Sequence, residues 1–225
     1  MVTTIKSVCQ AITNIFEVDN PAGNYESVQD IDDDRGWTVT HVGHTERDDD
    51  GGRSGNGDLF TVIALAQLTP FMKLKEDRLR FPGRWAAAMA DPGTRATLVA
   101  ASDSVAENLY WKPALRLLKT RNMEEIPYAC AVIYDTMVQH GDGDAKADPD
   151  SCNAIWESSG GDLEKFLKKR REVLKDPHNK ATQAAWLASI GRVAVLESLK
   201  GNLNLKGPLQ IGGRSQRVNF EIPGL

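Results

Sequence analysis

The sequence has 225 residues, of which 41% are hydrophobic and 26% are charged, a balance typical of a globular protein large enough to bury a core. It contains no apolar run near the roughly 20 residues that a membrane span requires, and its first residues lack the apolar segment of a secretory signal. The net charge is −4, but 12 acidic and only three basic residues lie between Glu17 and Asp58. This concentration of negative charge disfavours a nucleic-acid partner, and it indicates either a site for a cationic ligand or a solvated acidic loop.

The first predicted element is a helix over residues 4–16, because apolar side chains recur there at steps of three and four. Thr3 or Thr4 can cap its N-terminus, and a proline and a glycine shortly afterwards predict that it ends near residues 17–20. A short β-strand is predicted over residues 37–42, which are rich in β-branched and aromatic side chains.

After a Gly- and Asp-rich surface loop over residues 46–57, the pattern is mainly helical. Five further helices are predicted, over residues 59–68, 94–120, 123–139, 162–174 and 182–199. The second of these is expected to break at Pro113, and the third is the most hydrophobic and is expected to lie in the core. A second polar loop covers residues 141–150. The elements predict a mainly α architecture with a small β element and two lobes.

The cysteines and the candidate metal ligands predict no cross-link and no bound ion. Three cysteines at wide, unpatterned spacings indicate reduced core residues: Cys9, Cys130 and Cys152. His41 and His44 lack the spacing of a zinc site. Glu46, Asp48 and Asp50 resemble the start of a calcium loop, but glycine occupies the twelfth position, so an acidic surface loop is favoured. We therefore expect no metal and no cofactor.

Glu17 is the first candidate for chemistry. It lies at the predicted C-terminal end of the first helix, where the negative end of the helix dipole disfavours an ionised carboxylate. The apolar side chains of Ile15 and Phe16 act in the same direction. A carboxyl group that still holds its proton at working pH can serve as a general acid. A glutamate at a helix end is also commonly an exposed residue with no catalytic role.

The Asp-rich turn over residues 30–38 supplies candidates for a general base. Its crowded carboxylates repel one another, so either the loop separates them or Arg35 neutralises one. Hydrolysis of a glycosidic bond needs one group that protonates the leaving oxygen and another that activates water. Thr38 lies five residues beyond Asp33, and its hydroxyl could orient that water. An Asp-rich turn before a hairpin, with no catalytic role, is the alternative interpretation.

Residues 12–17 (ITNIFE) and 25–38 (YESVQDIDDDRGWT) together resemble the N-terminal region of the bacterial chitosanases of glycoside hydrolase family 46. In that family a glutamate at a helix end is followed by a helix that begins at a tyrosine, here Tyr25, and by an Asp-Gly-Arg-Gly-aromatic-Thr turn. Matched position by position, Glu17 falls on the general acid, Asp33 on the general base and Thr38 on the residue that holds the nucleophilic water. The resemblance makes Arg35 the turn arginine and, with Tyr25, a candidate substrate contact.

Later segments resemble the same family in the same order. Asp58, after a glycine, resembles the carboxylate that binds a substrate amine. Residues 134–141 resemble the core helix that leads into an active-site loop, which makes His140 a supporting residue or substrate contact. The segment 166–171 resembles a helix whose arginine pairs with the core-helix aspartate, here Arg170 with Asp135. The C-terminal residues 201–209 also follow the family pattern.

The resemblance implies a lysozyme-like α+β fold, mainly α, in a single catalytic domain of residues 1–225. Its minor lobe would include the β element around residues 30–45, its major lobe would be helical and include about residues 94–225, and a long bent helix would join them. The implied function is an endo-acting, inverting hydrolase that cleaves β-1,4 linkages between glucosamine units of chitosan. It would be a monomer with no cofactor, nucleic-acid or membrane partner, and it would be secreted, as is usual in the family.

The sequence also departs from the family pattern. Asp32 and Asp34 stand where the family has glycines, and Lys180 stands roughly where another arginine is expected. Two other functions therefore stay open. The chain could be a lysozyme-like peptidoglycan hydrolase, or a sugar-binding module on the same fold whose chemistry was lost through the altered turn.

Overall fold

The computed structural model describes residues 3–30, 36–46, 58–68, 78–213 and 219–225. The chain divides into two compact units, each with its own hydrophobic core. The first unit is formed by Met1–Ala22 together with Leu109–Leu225, and the second by Gly23–Asn108. Among the described residues, no helix combines the length and the apolar character needed to cross a bilayer.

The described residues form ten α-helices and five short β-strands. In chain order these are α1 (Ile5–Val18), β1 (Val28–Asp30), β2 (Trp37–Val39), β3 (His44–Thr45), α2 (Asp58–Leu65), α3 (Phe81–Ala90), α4 (Pro92–Ala106), α5 (Lys112–Lys119), α6 (Pro127–His140), α7 (Cys152–Ser159), α8 (Leu163–Lys175), α9 (Gln183–Ala188), α10 (Gly191–Ser198), β4 (Leu209–Gly212) and β5 (Asn219–Ile222). The predicted fold class, α+β and mainly α, is confirmed.

Helix α1 begins where the sequence predicts it. The side-chain oxygen of Thr4 accepts from the backbone N–H of Ser7 at 3.1 Å, and the hydroxyl of Ser7 accepts from the backbone N–H of Thr4 at 2.8 Å, so the two residues form a capping box. The helix ends at Val18 because Asp19 adopts a left-handed conformation, with φ of 50°. Glu17 therefore lies in the last turn.

Helix α6 lies at the centre of the first unit, as its hydrophobicity predicts. Nearly every one of its residues is buried, and it packs against α1, α5, α7 and α8. It begins at Pro127, four residues later than expected, because proline is favoured in the first turn, where no N–H donor is needed. All three cysteines are buried and form no disulfide in the described residues, as expected of core residues.

The predicted helix over residues 94–120 is interrupted just before Pro113. Helix α4 ends at Ala106, a π-helical turn covers Glu107–Trp111, and α5 follows. Pro113 has no N–H to donate to the Leu109 carbonyl, and its ring crowds that oxygen, so a wider turn precedes it. The boundary between the two units falls within this turn. Residues 94–108, which we had expected in the major lobe, belong to the second unit, because α4 packs on α2 and α3.

The second unit contains a three-stranded antiparallel sheet in the order β1-β2-β3. Strand β2 was predicted, but it ends at Val39 because Thr40 has a φ of 63°. Within the described residues 25–30, the helix that the resemblance places at Tyr25 is absent. The side chain of Asn24 accepts from the backbone N–H of Glu26 at 3.1 Å and stabilises a turn, after which the chain enters β1 and pairs with β2.

Several elements were not predicted from the sequence. Helices α3 and α7 and the C-terminal hairpin of β4 and β5 are absent from the predicted set. The predicted helix over residues 182–199 is divided into α9 and α10, because the chain leaves the helical path at Ser189. The hairpin packs on α1, and β4 also packs on α10, so the C-terminal hairpin belongs to the same unit as the first helix.

Candidate active site

Glu17, the candidate general acid, is held by an arginine from a distant helix. Its Oε1 lies 2.7 Å from Nη1 of Arg192, and its side chain is 30% exposed. The preceding residues of α1 are buried in the core of the first unit, so the helix fixes the backbone of Glu17 while its carboxyl group reaches partly into solvent.

Arg192 connects Glu17 to the interior. It lies in the first turn of α10, is almost fully buried, and donates from Nη2 to Oδ1 of Asp135 at 2.6 Å. Its guanidinium carbon lies 5.3 Å from the ring centre of Phe16, within the range of a cation–π contact. Burial acts to lower the pKa of Arg192, but the carboxylates of Asp135 and Glu17 outweigh it and raise that pKa overall. The guanidinium is therefore a permanent positive charge.

Asp135 is bound by two arginines. Its side chain is fully buried in α6, and its Oδ2 accepts from Nη2 of Arg170 at 2.7 Å, so the ion pair expected between these two residues is present. Burial acts to raise the pKa of Asp135, but the guanidinium groups of Arg192 and Arg170 outweigh it and hold that pKa below its usual value. Two carboxylates and two guanidinium groups thus alternate along a chain from Glu17 to Arg170, which we call the charge chain.

Two further hydrogen bonds extend the charge chain, one to a side-chain amide and one to a hydroxyl group. Nη2 of Arg170 donates to Oε1 of Gln139 at 2.6 Å, and Nε2 of Gln139 donates to Oγ of Ser189 at 2.6 Å. The Ser189 hydroxyl in turn donates to the Trp186 carbonyl at 2.7 Å. Because Ser189 lies where α9 gives way to α10, these bonds fix the position of α10, the helix that carries Arg192, relative to α6 and α8.

His140 supports the loop after α6. Its Nδ1 donates to the backbone carbonyl of Asp150 at 2.9 Å, and its ring centre lies 4.5 Å from that of Trp186. The side chain of Asp150 accepts from the backbone N–H groups of His178 and Asn179. Burial, aided by the charge of Arg170, lowers the pKa of His140 to about 3, so the ring is neutral and does not exchange protons at working pH.

Asp58, the candidate ligand for a substrate amine, begins α2 in the second unit. Its Oδ1 accepts from the backbone N–H of Thr45 at 2.7 Å, and its Oδ2 lies 2.5 Å from Nδ1 of His44. Its side chain is 18% exposed, so it is partly accessible to solvent. The far nitrogen of His44, Nε2, lies 2.9 Å from Oγ of Ser102 in α4.

Tyr25 and Thr38 occupy defined positions in the same unit. The Tyr25 hydroxyl donates to Oδ1 of Asp103 at 2.5 Å, and its ring packs edge-on against His41 with 4.6 Å between ring centres. Burial is the main cause that lowers the pKa of His41 to about 4. Thr38 is buried on β2, and its hydroxyl has no partner among the described residues.

The other two site residues inferred from the sequence, Asp33 and Arg35, lie outside the described residues, as does the acidic segment 47–57. Their positions relative to Glu17 therefore stay predictions. Within the described ranges, no group of three or more histidine, cysteine, aspartate or glutamate side chains is arranged to hold a metal ion.

The sequence patterns did not identify two residues that contribute to these sites, Arg192 and His44. The expected second arginine is Arg192, whereas Lys180 is exposed and pairs with Asp176. A signal was present, since Arg192 precedes two buried apolar residues and shares their face of α10, an unusual place for a charge. His44 gave no comparable signal, because a histidine in a short strand is compatible with packing alone.

Comparisons with known proteins identify the family of the chain. Residues 11–209 match the family model described as Glycosyl hydrolase family 46. A chitosanase of Bacillus subtilis (strain 168) is 31% identical, with 96% of this chain and 84% of that protein covered. The crystal structure of native chitosanase from Bacillus subtilis MY002 has a TM-score of 0.78 at 30% identity, covering 97% of this chain and 98% of that one. A family 46 chitosanase of Gynuella sunshinyii, solved in complex with chitotetraose, has a TM-score of 0.80 at 27% identity and 99% coverage of both chains.

Proposed function

Because the chain belongs to glycosyl hydrolase family 46, it is a glycoside hydrolase, and we propose that it is an endo-acting chitosanase with Glu17 as its general acid. The relatives described above are chitosanases, and one of them was solved with a glucosamine oligomer bound. The observation that carries the assignment in this chain is the charge chain, which fixes Oε1 of a partly exposed carboxyl group through Arg192.

The contact with Arg192 suits a group that gives up a proton. Arg192 donates to Oε1 of Glu17, and in the proposed step the carboxyl group of Glu17 passes its proton to the leaving glycosidic oxygen. Glu17 is then a carboxylate, and the guanidinium beside it stabilises the charge that has just formed. Since Arg192 is itself held by Asp135, its position requires no rearrangement during the step.

The second half of the reaction requires an activated water. We assign its deprotonation to Asp33 and its orientation to Thr38, which stands on β2 shortly after the Asp-rich turn. Direct attack of water on the opposite face of the sugar inverts the anomeric centre, and it requires the two carboxyl groups to lie about 6.5–9.5 Å apart in the closed complex. No metal or cofactor takes part in this mechanism.

Recognition of the substrate rests on charge. Each glucosamine unit of chitosan carries an ammonium group, and the segment from Glu17 to Asp58 contains 12 acidic residues against three basic ones. Within it we assign Asp58 to the substrate amine, because its carboxylate is held by two donors and its side chain remains partly exposed. Arg35 and Tyr25 are assigned as further substrate contacts. We also propose that the enzyme acts as a monomer outside the cell, where the polymer is encountered.

Two assays run in parallel test the proposed function. The release of reducing ends from highly deacetylated chitosan is measured beside the clearing of a bacterial cell-wall suspension. We expect product from chitosan, with a rapid fall in viscosity because internal linkages are cut, and no clearing of cell walls. Clearing of cell walls without product from chitosan would indicate a peptidoglycan hydrolase, and binding of chitosan without turnover would indicate a sugar-binding module.

A further inference from the structure

His44 is the side chain that holds Asp58. It is fully buried, its Nδ1 lies 2.5 Å from Oδ2 of Asp58, and its Nε2 lies 2.9 Å from Oγ of Ser102. An ionised carboxylate can only accept hydrogen bonds, so Nδ1 carries the proton in this contact. The backbone N–H of Thr45 donates to the other oxygen of Asp58 at 2.7 Å. Two consecutive residues of β3 therefore fix both carboxylate oxygens.

Packing alone does not require a histidine at this position. Strand β3 packs against α2, whose buried residues belong to an apolar cluster that another apolar side chain could join. A buried imidazole is costly unless its nitrogen atoms have partners, and both nitrogen atoms of His44 have one. His41, three residues earlier and also buried, provides a contrast, because its Nδ1 has no partner among the described residues.

Ser102 determines which nitrogen of His44 donates. Its hydroxyl reaches Nε2 from α4 and can donate to it, so that Nδ1–H remains directed at Asp58. Two hydrogen bonds therefore connect Ser102 through His44 to the carboxylate of Asp58. Ser102 is buried within α4, so it is not placed to act as a nucleophile. Of the three residues, Asp58 is the one that is partly exposed.

We propose that His44, supported by Ser102, is a positioning residue that presents the Asp58 carboxylate to an ammonium group of the substrate. A carboxylate that is already oriented loses less conformational freedom when the ligand binds, so affinity improves without any new contact to the substrate. The inference rests on the proposed function, in which Asp58 binds a glucosamine amine. Because such a contact stabilises the ground state and the transition state alike, its loss raises KM and leaves kcat nearly unchanged.

The test is a double-mutant cycle on a glucosamine hexamer. His44→Phe keeps an aromatic ring in the buried position and removes both nitrogen atoms. We expect KM to rise about tenfold, as for the loss of a hydrogen bond to a charged group, with kcat changed by no more than about twofold. In the Asp58→Asn background the same substitution should leave KM unchanged, because the carboxylate that His44 positions is gone.

Two controls separate positioning from folding. His178→Phe replaces a histidine whose ring is exposed in the first unit and should change neither KM nor kcat. If His44→Phe does not fold, as judged by circular dichroism, Ser102→Ala retains the imidazole but removes the partner of Nε2. We expect it to raise KM about threefold, again only when Asp58 is present. Ser104→Ala, at an exposed position of the same helix, is its matched control.

The possible outcomes distinguish the inference from the function on which it rests. Three results would each overturn the positioning role while leaving the chitosanase assignment intact. They are an unchanged KM in His44→Phe, an increase in KM that persists in the Asp58→Asn background, and the failure of both His44→Phe and Ser102→Ala to fold. If Asp58→Asn alone leaves KM unchanged, the assignment of Asp58 is wrong and the inference falls with it. No cleavage of the hexamer by the wild type would refute the proposed function itself.

Discussion

At the scale of single residues, Arg192 should matter for both stability and turnover. Arg192→Gln removes one of the two donors to the buried Asp135 and the partner of Glu17. Breaking a buried ion pair from one side costs about 3–5 kcal/mol, and we expect a loss of stability near the lower figure because Arg170 remains. We also expect kcat on chitosan to fall at least about tenfold, since the carboxylate formed on Glu17 loses its stabilising charge.

Urea unfolding and steady-state kinetics measure the two effects of Arg192→Gln. The control is Arg171→Gln, which removes a partly exposed arginine that pairs with Glu197. Exposed pairs contribute only about 0–1 kcal/mol, so this variant should be close to the wild type. Equal stability and equal kcat in the two variants would refute the role that we give to Arg192.

The buried ring of His140 should make the stability of the protein depend on pH in the acid range. Its pKa is lowered from 6.5 to about 3 in the folded protein, so below pH 6.5 the unfolded chain binds a proton that the folded chain does not. The free energy of unfolding should therefore fall as the pH is lowered from 6.5 towards 3, by up to about 1.4 kcal/mol per pH unit from this group. His41, with a pKa of about 4, acts in the same direction.

The pH dependence is measured by urea unfolding between pH 6.5 and 4. His140→Gln cannot bind that proton. Its free energy of unfolding should therefore change with pH less steeply than that of the wild type, by about 1.4 kcal/mol per pH unit. His178→Gln, at an exposed position, should retain the wild-type slope. A slope that is unchanged in His140→Gln would show that the ring is not held neutral by burial.

At the scale of elements, the cap of α1 stabilises the helix that carries Glu17. Thr4→Ala removes the side-chain acceptor for the backbone N–H of Ser7 and should lower the free energy of unfolding by about 1 kcal/mol. Thr3→Ala, one residue earlier and exposed, should have an effect within about 0.5 kcal/mol of zero. Because the charge chain fixes Glu17 at the other end of the helix, kcat should be unchanged. Equal melting curves for the two variants would contradict the capping geometry.

The elements also show which parts of the fold the sequence could predict. Helices α1 and α6 were predicted because each has a strong pattern of its own, a cap with regular apolar spacing in one and continuous apolar character in the other. The split between α9 and α10 was missed. Ser189 lies at the break, and its hydroxyl contacts Gln139 from another element, a contact that local spacing does not reveal. The resemblance misassigned the segment after Tyr25, where Asn24 makes a turn and the following residues pair with β2.

At the scale of the whole molecule, the candidate site joins residues that sequence spacing does not relate. Glu17, Asp135 and Arg192 come from three helices that meet only because α1 packs on α6 and α10 is fixed by Ser189. The ordered motifs were enough to predict Glu17, Asp135 and Arg170, because each has a local pattern that resembles the family. Arg192 and His44 required the tertiary structure, since their roles are defined by a buried partner distant in the chain.

Glu17 is proposed to protonate the leaving oxygen of chitosan, and the kcat of Glu17→Gln on a glucosamine hexamer tests this role directly. The amide keeps the shape of the side chain but has no acidic proton to give, so kcat should fall about 10²- to 10⁴-fold while binding of the hexamer and the circular dichroism spectrum are retained. Glu157→Gln, at an exposed glutamate near the C-terminal end of α7, is the matched control and should keep full activity. A Glu17→Gln enzyme that retains more than about a tenth of the wild-type kcat would contradict the assignment of Glu17 as the general acid.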